Sequence, residues 1–357
     1  MAERTARWRW RLLLAAGSLL VALLLAEAGL RLFAPGLHDT ATLAAQPAED
    51  KLGRYRRRSA DDELYYELKP DLDITFGASR VRTDNRGVRL PATPAPPPTA
   101  EPVDLVVLGD STSFGWRVDW EQSYPARVAA RLEQAWRRPV RLTNRSVPGY
   151  NSEQELRQLR LAVLPDPPDL LLWHVDHNDA NAVLESNQPV VLRPEDGDNV
   201  LHSSLLKALL RALRSGNLDE RLHEQQPHER MGGYLTGGPL WERHVTALEQ
   251  AAHETRMARV PTLFVLIDCN VWFGQPSQEH VRCLHDPLRA RLRAAGADVL
   301  DLYPSLQGAA HQRGLKDLSS LWLAVDDPHP GPEVHALLAE LISAAFHVRW
   351  PAPPEPP

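Results

Sequence analysis

The sequence is short of the residues that mark several common classes of protein. It has two cysteines, Cys269 and Cys283, and neither sits in a Cys or His pattern that suggests zinc. Positive charge is not in surplus: 40 Lys+Arg stand against 46 Asp+Glu, a formal net charge of -6. That balance argues against a nucleic acid held on a basic surface. Lysine is scarce, and the near-exclusive use of arginine reads as base composition rather than phosphate binding. No G-x-G-x-x-G follows the first buried strand, which excludes the dinucleotide fingerprint, and no G-K-[ST] marks a P-loop.

What is present begins with a separate N-terminal segment. Arg4, Arg7, Arg9 and Arg11 precede an apolar run from Leu12 to Ala26, and Glu27 and Arg31 follow one helical turn apart. A cleaved signal peptide would have this basic start and the A-x-A-like site Ala26-Glu27-Ala28. A signal anchor would use the longer helix Leu12 to Ala34, close to the ~20 residues that cross a bilayer. The anchor is the preferred reading for residues 1–34, and in both cases the rest of the chain is exported. An exported cysteine pair can form a disulfide or remain two buried thiols, and both readings stand.

Residues 35–100 read as an extracytoplasmic stalk, a small hairpin and a Pro-rich connector. Residues 35–63 are polar, with the basic patch "RYRRR" at Arg54 to Arg58. Leu64 to Leu90 has short alternating runs and turn signals. "PATPAPPPTAEP" follows as an extended link, and residues 351–357 form a Pro-rich tail. From Val103 the pattern changes. Short apolar runs at Val103–Gly109, Pro139–Ser146, Asp169–Val175, Pro261–Asp268 and Asp298–Leu302 predict strands. Between them lie helical stretches at Tyr124–Arg138, Ser152–Leu164, Leu240–Arg259 and Asp286–Ala295, with a last helix at Pro332–Phe346. The alternation predicts an α/β domain over 101–350, a three-layer α/β/α sandwich on a parallel five-stranded sheet. The insert 181–239, with an apolar helix at Leu205 to Leu213, reads as a cover near the site.

Functional groups in such sheets sit beyond the carboxyl ends of the strands. Ser111 falls there, just past the first strand, in "DLVVLGDSTSFGW". A nucleophilic serine needs a base, a group that orients the base, and donors for an oxyanion. His329 is a candidate base and Asp326 its orienting partner, in "AVDDPHPGPEVH" before the last helix. Gly149, after strand two in "NRSVPGYNS", and Asn178, after strand three in "WHVDHNDAN", are candidate donors. Taken singly, each residue is an ordinary turn residue. Together they fall on one predicted edge of one sheet. The G-x-S-x-G elbow is not met, because Ser113 stands where its second glycine would be. The chymotrypsin order of His, Asp and Ser is not met either, because the only histidine before Ser111 is His38.

In "GDSTSFG", "SVPGYNS", "DHND" and "DDPH" the chain resembles the SGNH (GDSL-like) hydrolases over about residues 101 to 348. It departs from the family's pattern at Asp176, where the third block usually has glycine. The resemblance implies a flavodoxin-like fold and a serine esterase working through an acyl-enzyme. Ser111 would be the nucleophile, His329 the base and Asp326 its orienting partner. Ser111, Gly149 and Asn178 would form the oxyanion hole, and no metal or cofactor would be needed. Asp110 and Asp179 are expected to be local structural acceptors. The segment "YYELKPD...TDNRGVR" looks like the lead-in of exported members. The expected substrate is a small acyl ester, such as acetyl, on an extracytoplasmic glycan. Transfer of the acyl group to a sugar hydroxyl, a lipase-like use of longer chains lined by the insert, and a non-catalytic binding module are the rivals. The expected contact with the membrane is through the N-terminal segment.

Overall fold

The computed structural model describes residues 18, 55–76, 79–94, 100–180, 238–267, 275–315, 321–324 and 327–353. Apart from Ser18 they belong to one compact unit, Tyr55–Gln188 with Arg230–Pro357. The stalk up to residue 54, residues 181–237 of the insert, Cys269, the Cys283 side chain and Asp326 lie outside the described residues. So does the expected membrane segment, Ser18 excepted; among the described residues no helix is long and apolar enough to cross a membrane.

The first seven strands among the described residues are β1 (Arg56–Arg58), β2 (Tyr66–Leu68), β3 (Asp73–Phe76), β4 (Ser79–Thr83), β5 (Arg89–Leu90), β6 (Val103–Leu108) and β7 (Val140–Asn144). β8 (Leu170–Val175), β9 (Thr262–Leu266) and β10 (Asp298–Asp301) continue the series, and β11 (Trp322–Ala324) and β12 (Asp327–Pro330) form a small antiparallel pair. The main sheet has the order β10-β9-β8-β6-β7-β5-β4-β3. Its five parallel strands, β6 to β10, are the five expected from the sequence. Numbered by themselves they run 2-1-3-4-5, the flavodoxin-like order. The order reverses between β6 and β8, so the crevice at their carboxyl ends is the switch point where such sheets bind ligands.

Alternation along the strands splits the core in two. Leu105 and Val107 of β6 and Leu172 of β8 face α2 (Tyr124–Trp136), α6 (Tyr303–Gln312) and α7 (Pro332–Arg349), through Val128, Leu306 and Leu338. Val106 and Leu108 of β6 and Trp173 of β8 face α3 (Ser152–Gln158), α4 (Pro239–Met257) and α5 (Gln275–Ala294), through Leu156, Val245 and Leu292. The period of two therefore buries both faces of one sheet, giving three layers. Each fully buried leucine or valine contributes roughly 1.5–3 kcal/mol.

Three features differ from the sequence expectation. α5 starts at Gln275 and passes through Pro287, which the sequence reads as a helix start. α6 was not among the helices expected; Pro304 lies in its first turn, and just before it the Asp301 carboxylate accepts from the Tyr303 N–H at 3.0 Å. Tyr55–Arg58, read as part of the stalk, is ordered: β1 pairs antiparallel with β2. The hairpin β3–β4 continues through β5 onto β7 and so extends the main sheet.

Candidate active site

β6 is followed by Gly109, whose φ of 149° and crowding permit no side chain: a Cβ there would lie 2.8 Å from the His174 Cβ. The chain then turns into the four-residue helix α1 (Ser111–Phe114). Asp110 caps it, its carboxylate accepting from the Thr112 N–H at 2.9 Å. Ser111 is thus the first helical residue, half-buried, with its Oγ 3.2 Å from Asp110 Oδ2.

His329 comes from β12, 218 residues further along the chain, and its Nε2 lies 2.9 Å from Ser111 Oγ. Trp116 stacks on the His329 ring at 5.5 Å between centroids, and Tyr55 packs edge-on against Trp116 at 5.9 Å. Asp326, three residues before His329, lies outside the described residues. Asn178 lies in the single 3-10 turn His177–Ala180 that follows β8, and only its backbone is described. Gly149 lies in the turn after β7, half-buried. The structure therefore brings Ser111 and His329 into contact and sets Gly149 and Asn178 after the two strands that flank β6.

A buried group of acids underlies this edge. Asp110, Glu155, Asp176 and Asp179 are all buried, as is His174. Asp179 folds the "DHND" segment on itself, accepting from the Asp176 N–H at 2.8 Å, so Asp110 and Asp179 both act as local acceptors. Burial, reinforced by the charge of Asp110, pushes the Glu155 carboxyl well above the usual carboxylate range, although the Trp173 indole donates to it at 2.7 Å. Asp179 is pushed the same way by burial and then by Glu155. His244 adds no positive charge to the group. Burial pushes its imidazole down to about 3, and its Nδ1 lies 2.8 Å from Ser152 Oγ.

One atom from each of Asp110, His174 and Asp176 could face a common metal ion, all within 4.8 Å of one another. The nearest approaches use opposite ring nitrogens: Nδ1 to Asp110 at 3.7 Å and Nε2 to Asp176 at 3.9 Å. At these closest approaches the imidazole is bracketed by the two acids.

Several residues that shape this edge were not singled out by sequence reasoning. Arg89 of β5 is buried, and its guanidinium donates to the carbonyls of Phe114, of Gly115 at 3.0 Å and of Val118 at 2.8 Å. Its pKa is pushed down to about 10 by burial, so it remains a cation that holds the far end of α1. Arg56 and Tyr66 both donate to the Pro148 carbonyl, next to Gly149. The one available signal was the position of Tyr66 and Arg89 in the lead-in "YYELKPD...TDNRGVR"; Arg56 and Trp116 carried none.

Residues 107–337 match the GDSL-like lipase/acylhydrolase family. No curated protein matches the chain. Similar solved structures include the lipase/acylhydrolase from Enterococcus faecalis, 16% identical with a TM-score of 0.41, over 71% of this chain and 100% of that one. The acetylxylan esterase from Geobacillus stearothermophilus is 13% identical with a TM-score of 0.41, over 67% and 92%. The psychrotrophic esterase from Pseudoalteromonas sp. is 14% identical with a TM-score of 0.40, over 69% and 97%. The family match spans more than half of the 357 residues and contains β7 to β10 with both Ser111 and His329, so the chain belongs to the GDSL-like lipase/acylhydrolase family and is a hydrolase acting on esters.

Proposed function

We propose that the protein is a serine esterase in which Ser111 is the nucleophile and His329 its general base. The observation that carries this reading is the 2.9 Å contact between His329 Nε2 and Ser111 Oγ, made by two half-buried side chains at the switch point. In the reaction Ser111 Oγ attacks the ester carbonyl while its proton passes to Nε2. The oxyanion is held by the Ser111 and Gly149 N–H groups and the Asn178 amide. The intermediate collapses, the alcohol leaves with the proton from His329, and an acyl-Ser111 remains. Water then attacks with His329 again as base. Asp326 is the group proposed to hold the imidazole tautomer. Each oxyanion donor is worth about 3–4 kcal/mol of transition-state stabilisation.

The proposed substrate is a small acyl ester, such as acetyl, carried by an extracytoplasmic glycan. Its support lies in the N-terminal sequence, which keeps cytosolic thioesters out of reach of an exported and membrane-anchored enzyme. A fluorophosphonate probe should label the wild type and spare Ser111→Ala; equal labelling of both sinks the nucleophile assignment. Profiling acyl esters of graded length, with and without a glycan acceptor, tests the substrate. A kcat/KM maximum at medium or long chains rejects the small-acyl reading, and acyl transfer to the glycan in preference to water identifies a transferase.

A further inference from the structure

The turn that carries Gly149 has one degree of freedom that its own sequence leaves open. The Tyr150 N–H donates to the Val147 carbonyl at 3.0 Å, closing a four-residue turn with Pro148 and Gly149 at its centre. Gly149 has φ 81°, the value of the third position in a type II turn, and proline suits the second. Type I and type II turns differ chiefly in which way the central peptide faces. Proline at the second position and glycine at the third are compatible with both. Something outside the turn must therefore decide where the Gly149 N–H points.

Two side chains of the lead-in make that decision. Arg56 Nη2 donates to the Pro148 carbonyl at 2.5 Å, and the Tyr66 hydroxyl donates to it at 3.0 Å. The peptide is trans and planar, so its C=O and N–H point in opposite directions. Fixing the Pro148 oxygen toward Arg56 and Tyr66 fixes the Gly149 N–H away from them. The clamp is itself braced. The Arg56 guanidinium lies over the rings of Tyr55 at 4.9 Å and Tyr66 at 4.4 Å. The Tyr150 hydroxyl donates to the Tyr66 carbonyl at 2.6 Å. On its other side the turn is tied to the loop that presents Ser111, the Val147 N–H donating to the Gly109 carbonyl at 3.0 Å. A cationic donor on the carbonyl also polarises the peptide and strengthens its N–H as a donor.

We propose that Arg56 and Tyr66 are positioning residues for ester hydrolysis, clamping the Pro148–Gly149 peptide so that the Gly149 N–H meets the oxyanion. The proposal rests on the serine-esterase reading above. Both residues precede the family match at 107–337, so this chain completes its site with a segment outside that match.

The test uses the full-length protein and a chromogenic acetyl ester, with the active fraction counted by fluorophosphonate titration. Tyr66→Phe removes one hydroxyl and should lower kcat about 3- to 10-fold. Arg56→Met removes a charge-assisted donor and should lower kcat about 10- to 100-fold. In both, KM should stay close to wild type, and Arg56→Lys should recover part of the Arg56→Met loss. A purely structural role would lower the melting temperature or the active fraction and leave kcat per active site intact; that result overturns the proposal. If Arg56→Met does not fold, Tyr66→Phe decides alone. Ester hydrolysis that survives in Ser111→Ala overturns the serine reading and the clamp together, whereas loss in Ser111→Ala with unchanged kcat in Tyr66→Phe overturns the clamp alone.

Discussion

Replacing Glu155 by Gln isolates the electrostatic cost of the buried acids. Glu155 Oε2 accepts from the Trp173 indole at 2.7 Å, and Oε1 has no hydrogen-bond partner among the described residues. Burial first, then the charge of Asp110, raises the folded-state pKa well above the ordinary carboxylate value. The sign follows from linkage. Above the unfolded pKa of about 4.3 the unfolded chain has released this proton while the folded protein keeps it. Stability therefore falls as pH rises, by about 1.4 kcal/mol for each pH unit until the folded pKa is reached. Glutamine keeps the shape and the acceptor for Trp173 and does not titrate. The difference in melting temperature, Gln minus Glu, should be smallest near pH 4 and grow with pH. At about 2–4 °C per kcal/mol for a domain of this size, the growth is roughly 3–6 °C per pH unit. Thermal unfolding of both proteins, followed by circular dichroism at half-unit steps from pH 4 to pH 8.5, reads this slope. Any constant offset from the amide cancels, because only the slope is used. A flat difference refutes the raised pKa. A difference that shrinks with rising pH refutes the whole picture, since it means an ionised Glu155 paired with a cation.

Two further outcomes are expected. Gly149→Ala should cost roughly 1–2 kcal/mol in urea unfolding for the positive φ alone. Its new Cβ, 3.0 Å from the Tyr66 hydroxyl, adds to that loss, so Tyr66→Phe in the same chain should return part of it; strictly additive losses would refute the contact. Asn178→Ala should lower kcat by about 10²-fold with the fold intact, and an unchanged kcat in the folded variant counts against the donor role.

The parallel sheet was legible because its strands carry their own evidence. Each is a short apolar-centred run followed by a helix, and the central strands β6, β8 and β9 are buried almost throughout, which leaves little polar alternation to confuse the reading. Helix ends were legible where caps and chain breaks agree: α7 begins at Pro332 as expected. They failed where proline and glycine point the wrong way. Pro287 reads as a first helical residue, yet α5 runs through it. Gly308 disfavours a helix interior, yet Leu306 and Ala310 bury one face of α6 against the sheet. In both places tertiary burial outweighs a local propensity of about 1–3 kcal/mol.

The candidate site divides along a different line. Ser111, Gly149 and Asn178 were legible because each follows a strand, and a strand's carboxyl end is a place that sequence can locate. His329 was legible from a short motif beside a helix start. Arg56, Tyr66 and Arg89 were not, because their contribution is a long-range contact with main-chain carbonyls. Pro148, Phe114, Gly115 and Val118 present the same C=O whatever their side chains are, so no pattern in the acceptor betrays the donor. The patch "RYRRR" shows the consequence. Four arginines in a polar stretch look alike, yet Arg57 and Arg58 pair with the exposed acids Glu67 and Asp62, while Arg56 turns inward between two tyrosines. The period of β1 sends Arg57 to the face opposite Arg56, but Arg58 shares the face of Arg56, and what separates those two is the ring each lies over, Tyr55 and Tyr66 for Arg56 and Tyr65 for Arg58. A segment that composition marks as a spacer can therefore hold the groups that fix the Pro148–Gly149 peptide, whose N–H is the proposed oxyanion donor.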